Sequence, residues 1–382
     1  MGFKAKTQER EYGGGMPSRS VRRMGKGMLA LAAAITVIAA PGAAGLASTQ
    51  AYAAESAALP IAPMTVVIDG EGTAVPAVLV QGDTYIGLRA LNERLGLDTG
   101  WDPGKRLVTV SGRGRTLTFS LDALDKYTLN SQPVYGLPAI VQDGSTYLPL
   151  RFLLERMGYG ISYDAGTRSV HIETIPENIL SVETRKISEE KEKQSLVIYY
   201  PQITRLGDQG VQDKINAFLK QEADSQAAAG RLMLATAAED NKGAAAANPK
   251  NSIPPVTLEG RYTVTYNEQG RLSLYFDYYS YTGGAHGMTV RDPYTFDLST
   301  GRLLSLQEAA EGNSKYVSII DKAIQSQIRE RNLPLLQPFE TIESNRDYFL
   351  KHGALVIYFS QYEYTPYSEG IPQFEIPFSA FR

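Results

Sequence analysis

Apolar and polar residues alternate in two short runs, Thr84-Tyr85-Ile86-Gly87-Leu88 and Thr146-Tyr147-Leu148-Pro149-Leu150, and each predicts a half-buried strand entering a turn. The period then lengthens. Leu88, Leu91 and Leu95, and after them Leu150, Leu153 and Met157, recur at helical spacing, with Gly96 and Gly158 placed as helix C-termini. Each stretch closes on a turn (Asp102-Pro103-Gly104, Asp164-Ala165-Gly166) and a second strand (Arg106 to Val110, Arg168 to Ile172). The two stretches are copies: Gly82 to Val110 aligns with Gly144 to Ile172 at a spacing of 62 residues, with 13 of 29 positions identical. A duplicated unit predicts an architectural role before a catalytic one, because an active site is usually assembled once from unlike parts. Arg89 and Arg151 recur together with Glu93 and Glu155, so they are expected to fix each helix against its sheet rather than to hold a ligand.

Beyond the second copy, residues 174–193 are rich in charge, including Glu189-Glu190-Lys191-Glu192-Lys193, and read as a linker into a second domain over 194–382. Leu196 to Tyr200 reads as a strand ended by Pro201. Val211, Ile215, Phe218 and Leu219 then share one helical face, and that helix can run through an Ala-rich stretch to about Ala238. Lys242 to Pro255, within an Ala-rich insertion near 223–255, reads as a loop or disordered insertion. From Val256 the period returns to two, and RYTVTYNEQGRLSLYFDYYSYTGG predicts a hairpin turning near Asn267 to Gly270. A strand over Thr289 to Leu298, helices over Leu303 to Glu311 and Tyr316 to Arg329, and late strands over Ala354 to Phe359 and Phe374 to Pro377 complete the pattern. The fold class expected is α+β: a duplicated strand-helix-strand module, then a mainly antiparallel sheet with packed helices.

The amino terminus changes the address. Arg19, Arg22, Arg23 and Lys26 precede an apolar stretch from Met28 to Ala44 and a small-x-small signal at Ala51-Tyr52-Ala53, so residues 1–53 are expected to be a cleaved signal peptide. Residues 54–65 then read as a linker. The alternative, an uncleaved anchor tethering the protein to the membrane, rests on the long basic region from Met1 to Lys26. Loss of the leader removes seven basic and two acidic residues, leaving 31 against 39 and a net charge of −8. That balance argues against nucleic acid as a partner and permits a cationic protein. With no cysteine there are no disulfides and no thiolate metal sites. No membrane span is expected once the leader is gone.

The segment YLPLRFLLERMGYGISYDAGTRSVHIE, with its earlier copy, resembles the stalk domain found at the N-terminus of some copper amine oxidases and in exported proteins of Gram-positive bacteria; the resemblance covers about 66–173. It implies a small α/β module carrying neither the copper nor the quinone cofactor. His171, the one histidine there, cannot build a copper site alone, so no cofactor and no metal are expected.

The second domain carries YSYTGGAHGMT from Tyr279 to Thr289 and QYEYTPYSEG from Gln361 to Gly370. Together with VIYYPQI near Tyr200 and DLSTGRLLSLQEA, these resemble the extracytoplasmic region shared by lysozyme-sensing anti-sigma factors and the non-catalytic N-terminal part of peptidoglycan deacetylases, over about 181–382. The resemblance implies an extracellular protein-binding or wall-associated module, without the cytoplasmic domain of the former or the catalytic domain of the latter. Tyr281, Gly283, Gly284, His286, Tyr362 and Tyr367 are the candidate binding residues, since tyrosine offers large area and a hydroxyl at small entropic cost. The competing reading is that they pack the sheet and that His286 makes a structural hydrogen bond. No HExxH, GxSxG or phosphate loop occurs, although Asp277 or Asp292 with His286 and Ser280 allows a triad to be imagined. The expected role is therefore a non-catalytic secreted or envelope-associated binding protein of a Gram-positive bacterium, its partner a cationic lysozyme-like protein or a wall polymer. The alternative is a wall-active hydrolase or deacetylase-associated enzyme.

Overall fold

The computed structural model describes residues 59–167, 169–247 and 255–382; the expected signal peptide lies outside them. The amino-terminal module runs β1 (Ala62–Ile68), β2 (Glu71–Val80), β3 (Asp83–Gly87), α1 (Arg89–Leu95), β4 (Asp98–Asp102), β5 (Leu107–Gly112), β6 (Arg115–Ser120), β7 (Lys126–Leu129), β8 (Gln132–Tyr135), β9 (Ile140–Gln142), β10 (Ser145–Pro149), α2 (Leu150–Arg156), β11 (Tyr159–Asp164) and β12 (Ser169–Thr174). Two sheets form, a seven-stranded one in the order β11-β12-β1-β2-β3-β10-β9 and a five-stranded meander from β4 to β8.

Each repeat is thus strand, helix, strand, turn, strand. The sequence reading missed β4 and β11 because they are outer strands, largely exposed, and carry no alternation to detect. The first strands of the two copies meet antiparallel, Leu148 opposite Ile86, and the Tyr159 hydroxyl donates to the Leu95 carbonyl, so the copies are stitched to each other. Leu88, Leu95, Leu150, Leu153 and Met157 are buried, as the helical spacing requires; the side chain of Leu91 lies outside the described set. Arg151 donates to Glu155 at 2.8 Å and to the Ile161 carbonyl at 3.1 Å, which ties α2 to β11. Arg89 stands exposed at the start of α1. The linker expected over 54–65 gives way to β1 at Ala62, because Ala62 to Thr65 find partners in Ala74 to Ala77.

The second part runs β13 (Ser181–Lys191), β14 (Gln194–Thr204), α3 (Gln209–Ala247), β15 (Val256–Glu268), β16 (Arg271–Tyr281), β17 (Met288–Asp297), α4 (Leu306–Ala309), α5 (Tyr316–Glu330), β18 (Tyr348–Lys351), β19 (Ala354–Tyr358) and β20 (Gln373–Pro377). Most of the charge-rich stretch read as a linker is β13, an outer strand whose charges face solvent and discourage further pairing. β14 continues through Pro201 because β15 pairs with it only as far as Ile198, leaving an open side where a missing N–H is harmless. α3 extends to Ala247, past the expected end near Ala238, since alanine is the best helix former and carries the helix into the segment read as loop. Residues 248–254 of that segment lie outside the described set. The hairpin turn is Gln269-Gly270, both residues at positive φ, as a two-residue turn demands.

Layering follows from the period-two pattern of β16. Leu272, Leu274 and Phe276 share a core with Ile215 and Leu219 of α3, each apolar side chain contributing about 1.5–3 kcal/mol on burial. On the opposite face Tyr275 packs with Phe349, Val356 and Tyr358 of β18 and β19, and the Leu350 N–H donates to the Ser273 hydroxyl at 3.0 Å. Outside this second sheet, Ile320 and Ile324 of α5 close a further core against Leu355, Ile357 and Phe374. Among the described residues no helix is long and apolar enough to cross a membrane.

The two parts touch. Arg113 and Arg115 converge on Glu177, and Lys351 reaches Glu155 at 3.3 Å. His352, in the β18–β19 turn, lies over Gly160 of β11, where a Cβ would stand 2.8 Å from the ring; it contacts Glu268 at 3.0 Å and Glu173 at 3.4 Å.

Candidate functional site

The segment 282–287 between β16 and β17 folds back on itself because glycine allows it. Gly283 and Gly284 have φ of 113° and 95°, outside the comfortable range of other residues. The Tyr281 hydroxyl donates to the Gly284 carbonyl at 2.9 Å and pins the bend. From below, Asn241 of α3 donates to the Thr282 carbonyl at 3.1 Å. Gly287 passes across the Tyr279 ring, where a Cβ would sit 2.5 Å from the Ser280 carbonyl oxygen.

The second loop, after β19, is held by an ion pair. Arg346, 7 % exposed in its side chain, clasps both carboxylate oxygens of Glu363 and donates to the Tyr358 carbonyl. Burial disfavours the Arg346 charge, yet the Glu363 carboxylate more than offsets it and raises its pKa. Glu363 also accepts from the Ser360 N–H at 2.8 Å, and the Gln361 side-chain oxygen accepts from the Thr289 N–H at 2.7 Å, which joins this loop to β17. Between these anchors Tyr362 adopts φ of 63°, an uncommon conformation for a bulky residue.

The two loops bring His286, Tyr362 and Tyr367 together, while Tyr281, Gly283 and Gly284 shape the first loop, the Tyr281 hydroxyl reaching the Gly284 carbonyl. His286 stacks on Tyr367, ring centroids 3.9 Å apart and planes 22° from parallel. The Tyr367 hydroxyl donates to the Gly287 carbonyl at 3.0 Å. His286 Nδ1 lies 3.1 Å from that carbonyl oxygen, which can only accept, so Nδ1 carries a proton; Nε2 lies 3.3 Å from the Tyr362 hydroxyl. Tyr362 is 49 % exposed, and Tyr279 and His286 beside it are also exposed. The result is a rigid, partly polar aromatic patch with hydroxyls at its rim.

The imagined triad is not assembled. Asp277 accepts two 2.7 Å hydrogen bonds from Arg291, and Asp292 is buried with Gln226 within 3.3 Å. His171 sits by Ser169 and His352 by Glu268, so the three histidines occupy three separate places. Among the described residues no group of three or more potential ligands is placed to hold a metal ion. Gly287 and Gln361 stand inside the two motifs without a role being legible for them, and Asn241 stands outside both: their partners lie across the fold, and a single Gly, Asn or Gln carries no local signature.

Three family models match parts of the chain: the copper amine oxidase N-terminal domain over residues 67–172, deacetylase PdaC over 187–289, and a protein family of unknown function, DUF3298, over 310–379. The patch is shared between the last two, Tyr281 to His286 falling in one and Tyr362 and Tyr367 in the other. No curated protein matches the chain. Among solved structures, it is similar to a DUF3298 family member from Bacteroides fragilis, at 15 % identity over 52 % of this chain and 91 % of that one, with a TM-score of 0.41. A DUF3298 family protein from Pseudomonas aeruginosa matches at 17 % identity over 54 % and 92 %, with a TM-score of 0.34.

Proposed function

We propose that this chain is a non-catalytic, extracytoplasmic binding protein of the cell envelope, and that the patch of Tyr281, His286, Tyr362 and Tyr367 is its recognition surface. The observation that carries the reading is Tyr362: an aromatic held at positive φ by an ion-paired loop, set beside His286 and Tyr367 and yet left half exposed, presents its ring at a cost in backbone strain. Such strain is retained where a side chain must be presented. Two loops, anchored separately by Asn241 and Arg346, fix the ring planes before any ligand arrives and so lower the cost of binding. The matched deacetylase and stalk-type families support the envelope address.

The ligand favoured is a cationic wall-active protein of the lysozyme type. The net charge of −8 beyond the expected leader speeds its encounter, and tyrosine-rich surfaces suit protein partners. Calorimetric titration of the whole chain with lysozymes of several classes is the test. Binding is expected at low salt, weakened about thirtyfold by Tyr362→Ala or Tyr367→Ala, the scale of an interface hot spot. Absence of heat and of complex with every lysozyme rejects this ligand. The alternative, an enzyme acting on the wall, draws on the name of the matched deacetylase family. Acetate release from N-acetylated wall glycan, abolished by His286→Ala with the fold intact, would establish it.

A further inference from the structure

Where the amino-terminal module meets the second part, a cavity of about 80 Å³ lies beside the stretch of β15 that β14 leaves unpaired. Its wall carries Arg113, Arg115 and Arg156 from the first module and Glu177 from the segment joining the two parts, so three guanidinium groups face one carboxylate. Glu177 is engaged by two of them: Arg115 donates to both its oxygens, and Arg113 Nη2 donates to one at 3.2 Å. Arg156, the last residue of α2, has no such partner. Among the described residues its one hydrogen bond runs to the Phe152 carbonyl at 3.1 Å, with the guanidinium carbon 4.0 Å above the centre of the Phe152 ring. The neighbouring Glu155 is taken by Arg151 and Lys351. Burial dominates at Arg156 and lowers its pKa, with Tyr275 and Glu155 opposing, whereas at Arg291 and Arg346 burial is outweighed by Asp277 and Glu363 and the pKa rises. From the second part, Ser181 of β13 and Thr263 of β15 line the same cavity, and neither hydroxyl is hydrogen-bonded among the described residues.

We propose that this cavity is an oxyanion site for inorganic phosphate or the phosphate end of a monoester, with Arg156 and the Arg113–Arg115 pair supplied by the amino-terminal module and the Ser181 and Thr263 hydroxyls by the second part. A guanidinium withdrawn from water without a counter-ion is costly. The chain is acidic, with a net charge of −8 beyond its expected leader, yet it sets no carboxylate on Arg156. The surplus of two positive charges therefore calls for an anion from outside the chain. Guanidinium groups meet a phosphate through paired N–H donors, and hydroxyls donate to the oxygens that remain. Leu129, Val134, Leu180 and Val182 complete the wall and keep the local dielectric low, which strengthens each charged contact. The space is several times the 10–15 Å³ or so that one water needs and far below the roughly 300 Å³ of a drug-sized pocket, so the ligand is a small ion or a group end. Because the donors come from both parts, a bound anion ties them together. The site shares no residue with the His286 patch and does not depend on the lysozyme reading.

Calorimetric titration of the whole chain with sodium phosphate is expected to show saturable binding, and the thermal unfolding midpoint is expected to rise with phosphate but not with sodium chloride of matched ionic strength. Arg156→Gln is expected to weaken phosphate binding by about tenfold or more, the loss of a charged hydrogen bond. Arg156→Lys keeps the charge without the planar fork and is expected to lose less. Ser181→Ala removes a neutral donor and leaves every charge in place; a loss of about threefold is expected, and it reports on the site even where Arg156→Gln is too unstable to titrate. Glycerol 3-phosphate separates the two sources: affinity equal to that of phosphate identifies a monoester site, and binding of phosphate alone a site for the free ion, either of which supports the proposal. No saturable heat with either compound overturns it. So does chloride that stabilises as well as phosphate, or phosphate binding that Arg156→Gln and Ser181→Ala both leave unchanged.

Discussion

Gln132, 2 % exposed, offers the sharpest test of how the two halves of the molecule are joined. β14 and β15 part company after Ile198 and Gly260, and the next outward-facing backbone groups of β15 belong to Tyr262. The Gln132 side chain fills that gap: its oxygen accepts from the Tyr262 N–H and its nitrogen donates to the Tyr262 carbonyl, each at 2.9 Å. One amide thus stands in for an absent strand residue. Gln132→Ala leaves two buried backbone groups unpaired, at about 1–3 kcal/mol each, so a loss of about 2–6 kcal/mol is expected. Gln132→Glu can still accept but, when ionised, turns a carboxylate toward a carbonyl oxygen, so it is expected to cost more at neutral pH. The excess shrinks as the pH falls, because a protonated carboxyl regains an O–H donor. Equilibrium urea unfolding of the whole chain, followed by Trp101 fluorescence and far-ultraviolet circular dichroism, measures both. Variants within about 0.5 kcal/mol of the parent, or a Glu variant whose deficit does not change with pH, refute the reasoning.

Three further outcomes are expected. Its hydrogen bond to Glu268 is the main cause that raises the His352 pKa, against burial, with Glu268 and Glu173 adding charge attraction. That contribution to stability is present in full below the unfolded value of about 6.5 and is lost as the pH rises through the folded value, so unfolding midpoints measured from about pH 6 upward should fall in the parent and flatten in His352→Gln. Gly287→Ala forces the loop off the Tyr279 ring; lysozyme titration should show weakened binding while far-ultraviolet dichroism stays unchanged. Arg346→Ala strands the Glu363 carboxylate and should cost about 3–5 kcal/mol in urea unfolding, with a substantial part recovered when Glu363→Ala is added.

The repeat was readable because burial writes itself into sequence: Leu148, Leu150, Leu153 and Met157 had to keep their spacing to reach the core. β4, β11 and β13 were not, since an outer strand packs on little and its side chains answer to solvent instead. The Tyr and His members of the patch stood out as a local cluster of aromatic and glycine residues. Their supports did not, because Asn241 and Thr282, or Gln361 and Thr289, become neighbours only when sheet and helix have closed around them. The contacts between the two halves were equally hidden: nothing local marks Gln132 as the completion of a strand 130 residues away.

The placement of β1 beside β12 has a mechanical consequence. The two strands run parallel, Val66 opposite Val170 and Ile68 opposite Ile172, and the chain enters the module along one and leaves along the other. Tension applied to the chain on either side of the module therefore pulls them lengthwise in opposite directions. Their hydrogen bonds must slide and fail together instead of peeling off one by one, and that geometry lets a small module carry load along the chain while keeping its shape.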